Sequence, residues 1–325
     1  MHQPKQFEIF RRGRAVVTGG AGFIGSHLVR ALLDLECEVV VLDDLSSGHL
    51  HNVPDDERVR FVEASILDDD AVEDAVDDCR FVFHEAAMVS VPQSIEEADA
   101  CAMINVVGTQ RLLDAAVAAG VERFVFASSA AVYGDRPTLP SREDHPVRSC
   151  SPYAASKAAG EQLLMAASHA HGLSTASLRY FNVFGPRQDP KSAYAAVISA
   201  FTDVLTRGGR PRIFGDGTQT RDFVSVDNVV AANLLAASTD SPLRGEVLNI
   251  GTGARTSLLD LLGHMGRLLE VDATPSFEPP RAGDVPHSVA DIARARAVLG
   301  YEPRTDLASG LGALLDWARE TNAAS

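Results

Sequence analysis

Lysine is scarce in this chain. Of 29 basic residues only Lys5, Lys157 and Lys191 are lysine, against 44 acids, for a net charge of −15. An acidic surface repels phosphate backbones, which argues against nucleic acid as a partner, and the scarcity itself draws the eye to Lys157. Cysteine is sparse too. Cys37, Cys79, Cys101 and Cys150 form no C-x-x-C pair and have no histidine at ligand spacing, so neither a zinc site nor a disulfide framework is expected. No metal is expected at all. The chain also lacks any run approaching the roughly 20 apolar residues that a membrane-spanning helix needs, and Met1–Arg14 has no apolar core of the secretory kind. The expectation is a soluble, cytoplasmic protein with no membrane partner, whose first residues form a short frayed extension. Repeats and low-complexity tracts are missing as well.

What is present is a rhythm. Short apolar runs at Ala15–Thr18, Glu38–Asp43, Arg60–Glu63, Phe81–Glu85, Arg123–Ser128 and Thr175–Tyr180 alternate with helical patterns at Phe23–Asp34, Asp69–Val76, Glu96–Ala119 and Pro152–His171. Apolar runs without polar alternation predict strands buried on both faces of a parallel sheet. Strand–helix alternation predicts a doubly wound α/β fold of Rossmann type. After Tyr180 prolines and glycines break the rhythm around a helix near Ala193–Thr206. A strand–helix pair then returns at Phe223–Val226 and Asp227–Ala237, with a strand at Glu246–Ile250. Helices are expected at Ser257–Leu269, Asp291–Leu299 and Leu307–Thr321, and a loop over Pro275–Pro286. The reading is a dinucleotide-binding domain over residues 12–182 plus about 222–256, and a smaller C-terminal substrate-binding lobe from residues 183–221 and 257–325.

Two constellations carry chemistry. The first strand runs into Thr18-Gly19-Gly20-Ala21-Gly22-Phe23-Ile24-Gly25 and a helix. Glycines there permit a tight turn and close backbone approach to a pyrophosphate, and the helix N-terminus attracts the anion. Asp43, at the end of the second strand, suits the adenosine ribose hydroxyls and repels a 2′-phosphate, which favours NAD over its phosphorylated counterpart. The second constellation is Tyr153 and Lys157, four apart and so on one helix face, with Ser129 closing the fifth strand. A phenol with a pKa near 10 acts as a base at neutral pH only if positive charge stabilises its phenolate. Lys157 and an oxidised nicotinamide are the candidates, and Ser129 can align a substrate hydroxyl. The set fits hydride removal from a secondary alcohol, with Tyr153 taking the proton.

Together with His84-Glu85-Ala86-Ala87, Asn105 and Arg179-Tyr180-Phe181-Asn182, these motifs resemble the extended short-chain dehydrogenases/reductases acting on nucleotide sugars, from about Arg14 to Ala318. Within that family the chain is similar to UDP-glucose/UDP-N-acetylglucosamine 4-epimerases. The stretch Phe181–Pro190 followed by Ala193–Ile198 is similar to members accepting N-acetylated sugars. The resemblance implies an NAD site that adds Phe23, Ile24, Asp44, Ser65, Ile66, Ala86, Ala87, Asn105 and Tyr180 to the glycines and Asp43. It implies a UDP-sugar site with Ser90, with Asn182, Arg221 and Arg281 on the diphosphate and Asp284 on the uridine ribose. Ala195, Val197, Arg212, Ile213 and Phe214 flank the uracil in that reading. Ser288, four beyond Asp284, stands where a tyrosine restricts the pocket to plain hexoses; its small size predicts room for an N-acetyl group. Ser65 replaces the family's usual aspartate, which predicts looser cofactor binding. Val89 stands where some hexose-specific members carry lysine, and no chemistry is assigned to it.

The implied reaction is inversion at C4 of a UDP-hexose through a 4-keto intermediate that turns within the site. A 4,6-dehydratase needs an Asp-Glu pair after the catalytic Ser or Thr, whereas Ala130-Ala131 follow Ser129 and transfer no protons. A UDP-glucuronate epimerase or decarboxylase, a non-catalytic NAD-binding regulator, and a dehydrogenase consuming NAD stoichiometrically remain as alternatives. The resemblance also implies a homodimer through Glu96–Ala119 and Pro152–His171.

Overall fold

A computed structural model describes residues 5–135, 138–189, 197–280 and 285–324. The first half alternates as the sequence predicts: β1 (Arg14–Thr18), α1 (Phe23–Asp34), β2 (Glu38–Asp43), β3 (Val59–Glu63), α2 (Asp69–Val76) and β4 (Phe81–His84). A helical run follows, α3 (Val91–Glu96), α4 (Ala98–Ala102) and α5 (Thr109–Ala118), then β5 (Arg123–Ser129), α6 (Pro152–His171) and β6 (Ser174–Tyr180). Beyond these come β7 (Asn182–Phe184), α7 (Val197–Thr206), β8 (Arg212–Phe214), β9 (Thr220–Arg221), β10 (Phe223–Ser225), α8 (Val226–Ala237) and β11 (Arg244–Ile250). The chain ends with β12 (Thr256–Ser257), α9 (Leu258–Leu269), β13 (Ser276–Glu278), α10 (Ala293–Leu299) and α11 (Leu307–Ala324).

Seven strands form one sheet in the order β11-β6-β5-β4-β1-β2-β3, every neighbouring pair parallel. The order reverses between β1 and β4, and such a switch point opens a crevice at the carboxyl ends of the strands. Alternate residues of each strand point to opposite faces, so the apolar runs fill two layers. Val17, Val41, Phe83 and Val125 pack with α1 and α8. Val16, Val40, Val82 and Phe124 pack with α2, α5 and α6. A third cluster gathers Phe184, Phe223, Ile213 and the buried faces of α7, α9 and α11.

Three expectations need correction. Met1–Arg14 is not a frayed extension in its described part: Lys5–Phe10 forms a 3-10 helix, and Phe10 is fully buried with its ring 4.9 Å from that of Phe81. Pro275–Pro286 is not wholly loop, because Ser276–Glu278 pairs in parallel with β8; a three-residue strand between prolines leaves too little periodicity to read. The helix predicted at Glu96–Ala119 begins earlier, at Val91, where Ser90 caps it by accepting from Gln93 N–H at 3.1 Å. It bends at Glu97 and widens into a π-helical turn at Met103–Gly108. That turn presents Asn105 to α6 and to the loop after β4: its Nδ2 donates to Ser156 Oγ at 2.9 Å and to the Met88 carbonyl at 3.0 Å, and its Oδ1 accepts from Met88 N–H at 2.8 Å.

Candidate active site

The glycine turn lies at the switch point, packed against the loop that follows β4. Gly19 has φ +68°, and a side chain there would strike Ala86 N at 2.7 Å; at Gly25 a Cβ would lie 2.2 Å from Gly19 O. Only bare backbone fits, which leaves an open cradle over the N-terminus of α1, where no side chain caps the helix. Phe23, Ile24 and Gly25 form the first helical turn. Asp43 stiffens this cradle, its carboxylate oxygens accepting Ala21 N–H and Leu45 N–H at 2.9 Å each. Burial raises the Asp43 pKa, while those two donors resist the shift. Asp44 is exposed and turns back on Ser46 N–H. Ser65 accepts Leu67 N–H at 3.2 Å, and Ile66 is buried beside Gly108. Ala86 and Ala87 are half-buried just past β4. The fit for a dinucleotide is good: a cradle free of side chains, an uncapped helix start, and a carboxylate at the next strand end.

Ser129 is the last residue of β5, and Tyr153 and Lys157 lie in the first two turns of α6. Pro152 at the first helical position and Ser151, which accepts Ala154 N–H at 3.1 Å, fix where α6 starts. Tyr153 N–H also donates to Ser94 Oγ at 3.1 Å, tying that start to α3. The Lys157 ammonium is buried, 4.8 Å from the Phe126 ring centroid and 5.9 Å from that of Tyr153. Burial pushes Lys157 down to about 8, opposed by the charge of Glu85, so it stays mainly protonated at neutral pH. Burial raises the Tyr153 pKa, and the Ser129 hydroxyl beside it works the other way.

A buried relay underlies this set. Thr109 Oγ1 donates to the Asn105 carbonyl at 2.7 Å, so it accepts from His84 Nε2 at 2.9 Å. His84 Nδ1 then accepts from Thr18 Oγ1 at 2.7 Å, and Thr18 Oγ1 in turn accepts Ala86 N–H at 3.3 Å. Burial holds His84 at about 3, hence neutral. Next to it Glu85 is pushed up to about 7 by burial, against the Tyr180 hydroxyl and Lys157. Tyr180 Oη donates to Glu85 Oε1 at 2.8 Å and accepts from Asn233 Nδ2 at 2.7 Å, so its hydroxyl is engaged by protein.

The residues predicted for the nucleotide sugar lie on the short ladders past β6. Asn182 N–H donates to the Asp222 carbonyl at 3.0 Å, one residue from Arg221. Ser288 N–H donates to the Thr220 carbonyl at 3.0 Å, so Asn182, Arg221 and Ser288 meet along one seam. Asp222, which the sequence did not mark, is fully buried and knits that seam: its carboxylate accepts Thr252 N–H, Thr252 Oγ1, Gly253 N–H and Ala290 N–H at 2.6–3.0 Å. Arg212, Ile213 and Phe214 form β8 and Val197 opens α7, with Ile213 in the third cluster. Ser90 caps α3, its Oγ accepting Gln93 N–H at 3.1 Å. Ala195, Arg281 and Asp284 lie outside the described residues. Among the described residues no group of three or more His, Cys, Asp or Glu could hold a metal ion, and no helix is long and apolar enough to cross a membrane.

Known proteins share this architecture. A UDP-glucose 4-epimerase of Mycolicibacterium smegmatis is 42% identical over 311 residues, covering 94% of this chain and 98% of that protein. The UDP-N-acetylglucosamine 4-epimerase from Methanobrevibacter ruminantium M1, solved with UDP-N-acetylmuramic acid, superposes with a TM-score of 0.91 at 37% identity, covering 96% of this chain and 99% of that one. The UDP-glucuronic acid 4-epimerase from Bacillus cereus, solved with UDP-glucuronic acid and NAD, does so with a TM-score of 0.86 at 31% identity, covering 95% and 99%. Residues 15–251 match the NAD dependent epimerase/dehydratase family, and with the glycine cradle, Asp43 and the Tyr153–Lys157 pair in place on a parallel sheet, the chain belongs to that family.

Proposed function

We propose that this protein is an NAD-dependent UDP-hexose 4-epimerase. The observation that carries the reading is that Ser129 and Lys157 both lie against Tyr153, with Lys157 feeling the charge of Glu85, whose backbone borders Gly19 of the cradle. The cradle residues Gly19, Gly22 and Gly25, with Asp43, would hold NAD, which supplies when bound a hydride acceptor at the sugar's C4 and the donor for its return. Tyr153 takes the proton of the 4-hydroxyl, Ser129 holds that hydroxyl in line, and the buried Lys157 ammonium supplies positive charge beside the phenol. Asn182 and Arg221, with Arg281 and Asp284, grip the diphosphate and ribose; arginine forks suit paired phosphates. Binding energy placed on UDP leaves the hexose free to turn between the two transfers, after which Tyr153 returns the proton to O4. Ala130 and Ala131, next to Ser129, offer no acid–base group for dehydration.

The reading extends to N-acetylated sugars, because Ser288 is small and half-buried on the same seam as Arg221. It divides the chain into a cofactor domain (residues 12–182 and about 222–256) and a substrate lobe (183–221 and 257–325). It also includes a homodimer through the α3–α6 side, where Val91, Ile95 and Met103 are 38%, 62% and 44% exposed. The test is incubation with UDP-glucose, UDP-galactose and their N-acetylated forms, following the C4 configuration by proton NMR. Interconversion without NADH accumulation is expected. Binding without turnover would favour a regulator, and accumulating NADH a dehydrogenase. UDP-glucuronate belongs in the same panel, since the Bacillus cereus protein is solved with that sugar.

A further inference from the structure

Behind the catalytic set lies a second group of buried charges that the reaction does not use. Glu161, one turn beyond Lys157, is bound in a fork by Arg179 of β6 at 2.8 and 2.7 Å, with side chains 2% and 4% exposed. Ser128 Oγ, the neighbour of Ser129, donates to the same carboxylate at 2.5 Å. The Arg179 guanidinium stacks 4.8 Å over the Tyr133 ring, and Tyr133 Oη donates to Asn249 Oδ1 of β11 at 2.7 Å. One ion pair therefore links α6, β5, β6, β11 and the 3-10 turn Ala130–Tyr133 that follows Ser129.

An open surface cleft of about 430 Å³ borders the pair, lined also by Ala158, Gln162, Met165 and Gly245. Charge burial there is costly, and replacing such a pair by apolar groups of similar volume is often neutral or stabilising. Its presence calls for a purpose other than stability. Tyr153, Lys157 and Glu161 share a helix face at four-residue spacing, about 6 Å of rise apart. Any rotation or slide of α6 at Glu161 is passed on to the phenol and the ammonium.

We propose that Glu161 and Arg179 are positioning residues, their buried ion pair setting the rotation and axial position of α6 so that Tyr153 and Lys157 meet Ser129. The inference rests on the role given to Tyr153 above. Its test is the double variant Glu161→Leu/Arg179→Met, which removes both charges and keeps volume, alongside Arg179→Lys, which keeps charge and loses the fork. Two readouts are taken on NAD-loaded protein. The first is titration of the Tyr153 phenol, as the ultraviolet difference between each protein and its own Tyr153→Phe counterpart, without sugar present. The second is the kcat-against-KM split with a UDP-hexose. The double variant is expected to melt at or above the wild-type temperature, with Tyr153 titrating about one pH unit higher. Its kcat is expected to fall about 10²-fold with KM little changed, and Arg179→Lys to fall between it and wild type. A folded double variant with wild-type titration and kcat would overturn the proposal. If that variant does not fold, wild-type values in Arg179→Lys would overturn it instead. Because the titration needs no turnover, a wild type that titrates normally but epimerises nothing would sink the proposed function and leave the positioning role standing.

Discussion

At Tyr153 two requirements oppose each other: burial raises the phenol's pKa, whereas proton removal from a sugar hydroxyl needs the phenolate. The positive charges of Lys157 and of a bound nicotinamide must outweigh desolvation, and a shift of about 3 pKa units corresponds to about 4 kcal/mol. Tyr153→Phe is expected to abolish turnover while leaving UDP affinity within about twofold, checked by kinetics and calorimetry; wild-type rates would remove Tyr153 from the reaction. Ser288→Tyr is expected to suppress activity on N-acetylated sugars about tenfold or more and to spare UDP-galactose. Equal losses on both sugars would show that Ser288 does not border the C2 substituent. Tyr153 and Lys157 stood out as candidates because their four-residue spacing along one helix is local, and Ser129 because it closes an apolar strand run. Glu85, Glu161 and Asp222 were not. Their partners Tyr180, Arg179 and Ala290 lie 95, 18 and 68 residues away, and nothing local distinguishes a carboxylate that will be buried from one that will be solvated.

Among the elements, the β1–α1 turn was read correctly because glycine spacing encodes a steric demand, which the fold expresses as a distance. Gly25→Ala would set a Cβ 2.2 Å from a backbone oxygen, so the turn must open. NAD affinity is expected to fall at least about tenfold by titration calorimetry, and unchanged affinity would mean that the cofactor does not sit over this turn. The sheet strands were equally legible, since continuous apolar runs have few other uses. The helix predicted at Glu96–Ala119 is there, but its early start at Val91 and its π-helical turn were not read; such a turn keeps helical composition while shifting the face, and the contacts of Asn105 with Met88 and Ser156 reveal it. The N-terminal 3-10 helix was missed because a single apolar anchor, Phe10, has no period. Phe10→Ala is expected to cost about 3–5 kcal/mol in chemical denaturation, and a loss below about 1 kcal/mol would return that segment to the surface.

At the scale of the whole molecule, the neighbouring buried groups His84 and Glu85 pull stability in opposite directions as pH changes. His84 is held at about 3 against an ordinary 6.5. The unfolded chain therefore binds more protons over that interval, and stability falls as pH drops through 6.5. Glu85 is raised to about 7 from 4.5, so the folded chain binds more protons there and stability falls as pH rises through that window. His27, held at about 4 by burial, acts in the same sense as His84, so between pH 5.5 and 7 Glu85 offsets about one of the two histidines in wild type. Glu85→Gln is expected to expose the histidine, costing about 1 kcal/mol more than wild type on acidification from pH 7 to 5.5, read from denaturation midpoints; parallel curves for the two proteins would refute the pairing. The return of β11 to the sheet has a mechanical corollary. Its ladder with β6 runs from Arg244↔Thr175 to Ile250↔Tyr180, so everything threaded between those strands hangs like a garment pegged at two adjacent points on one line. A protease cut at the exposed Gly208–Gly209 would divide the polypeptide yet leave both pieces clasped, travelling as one particle until denaturant releases them.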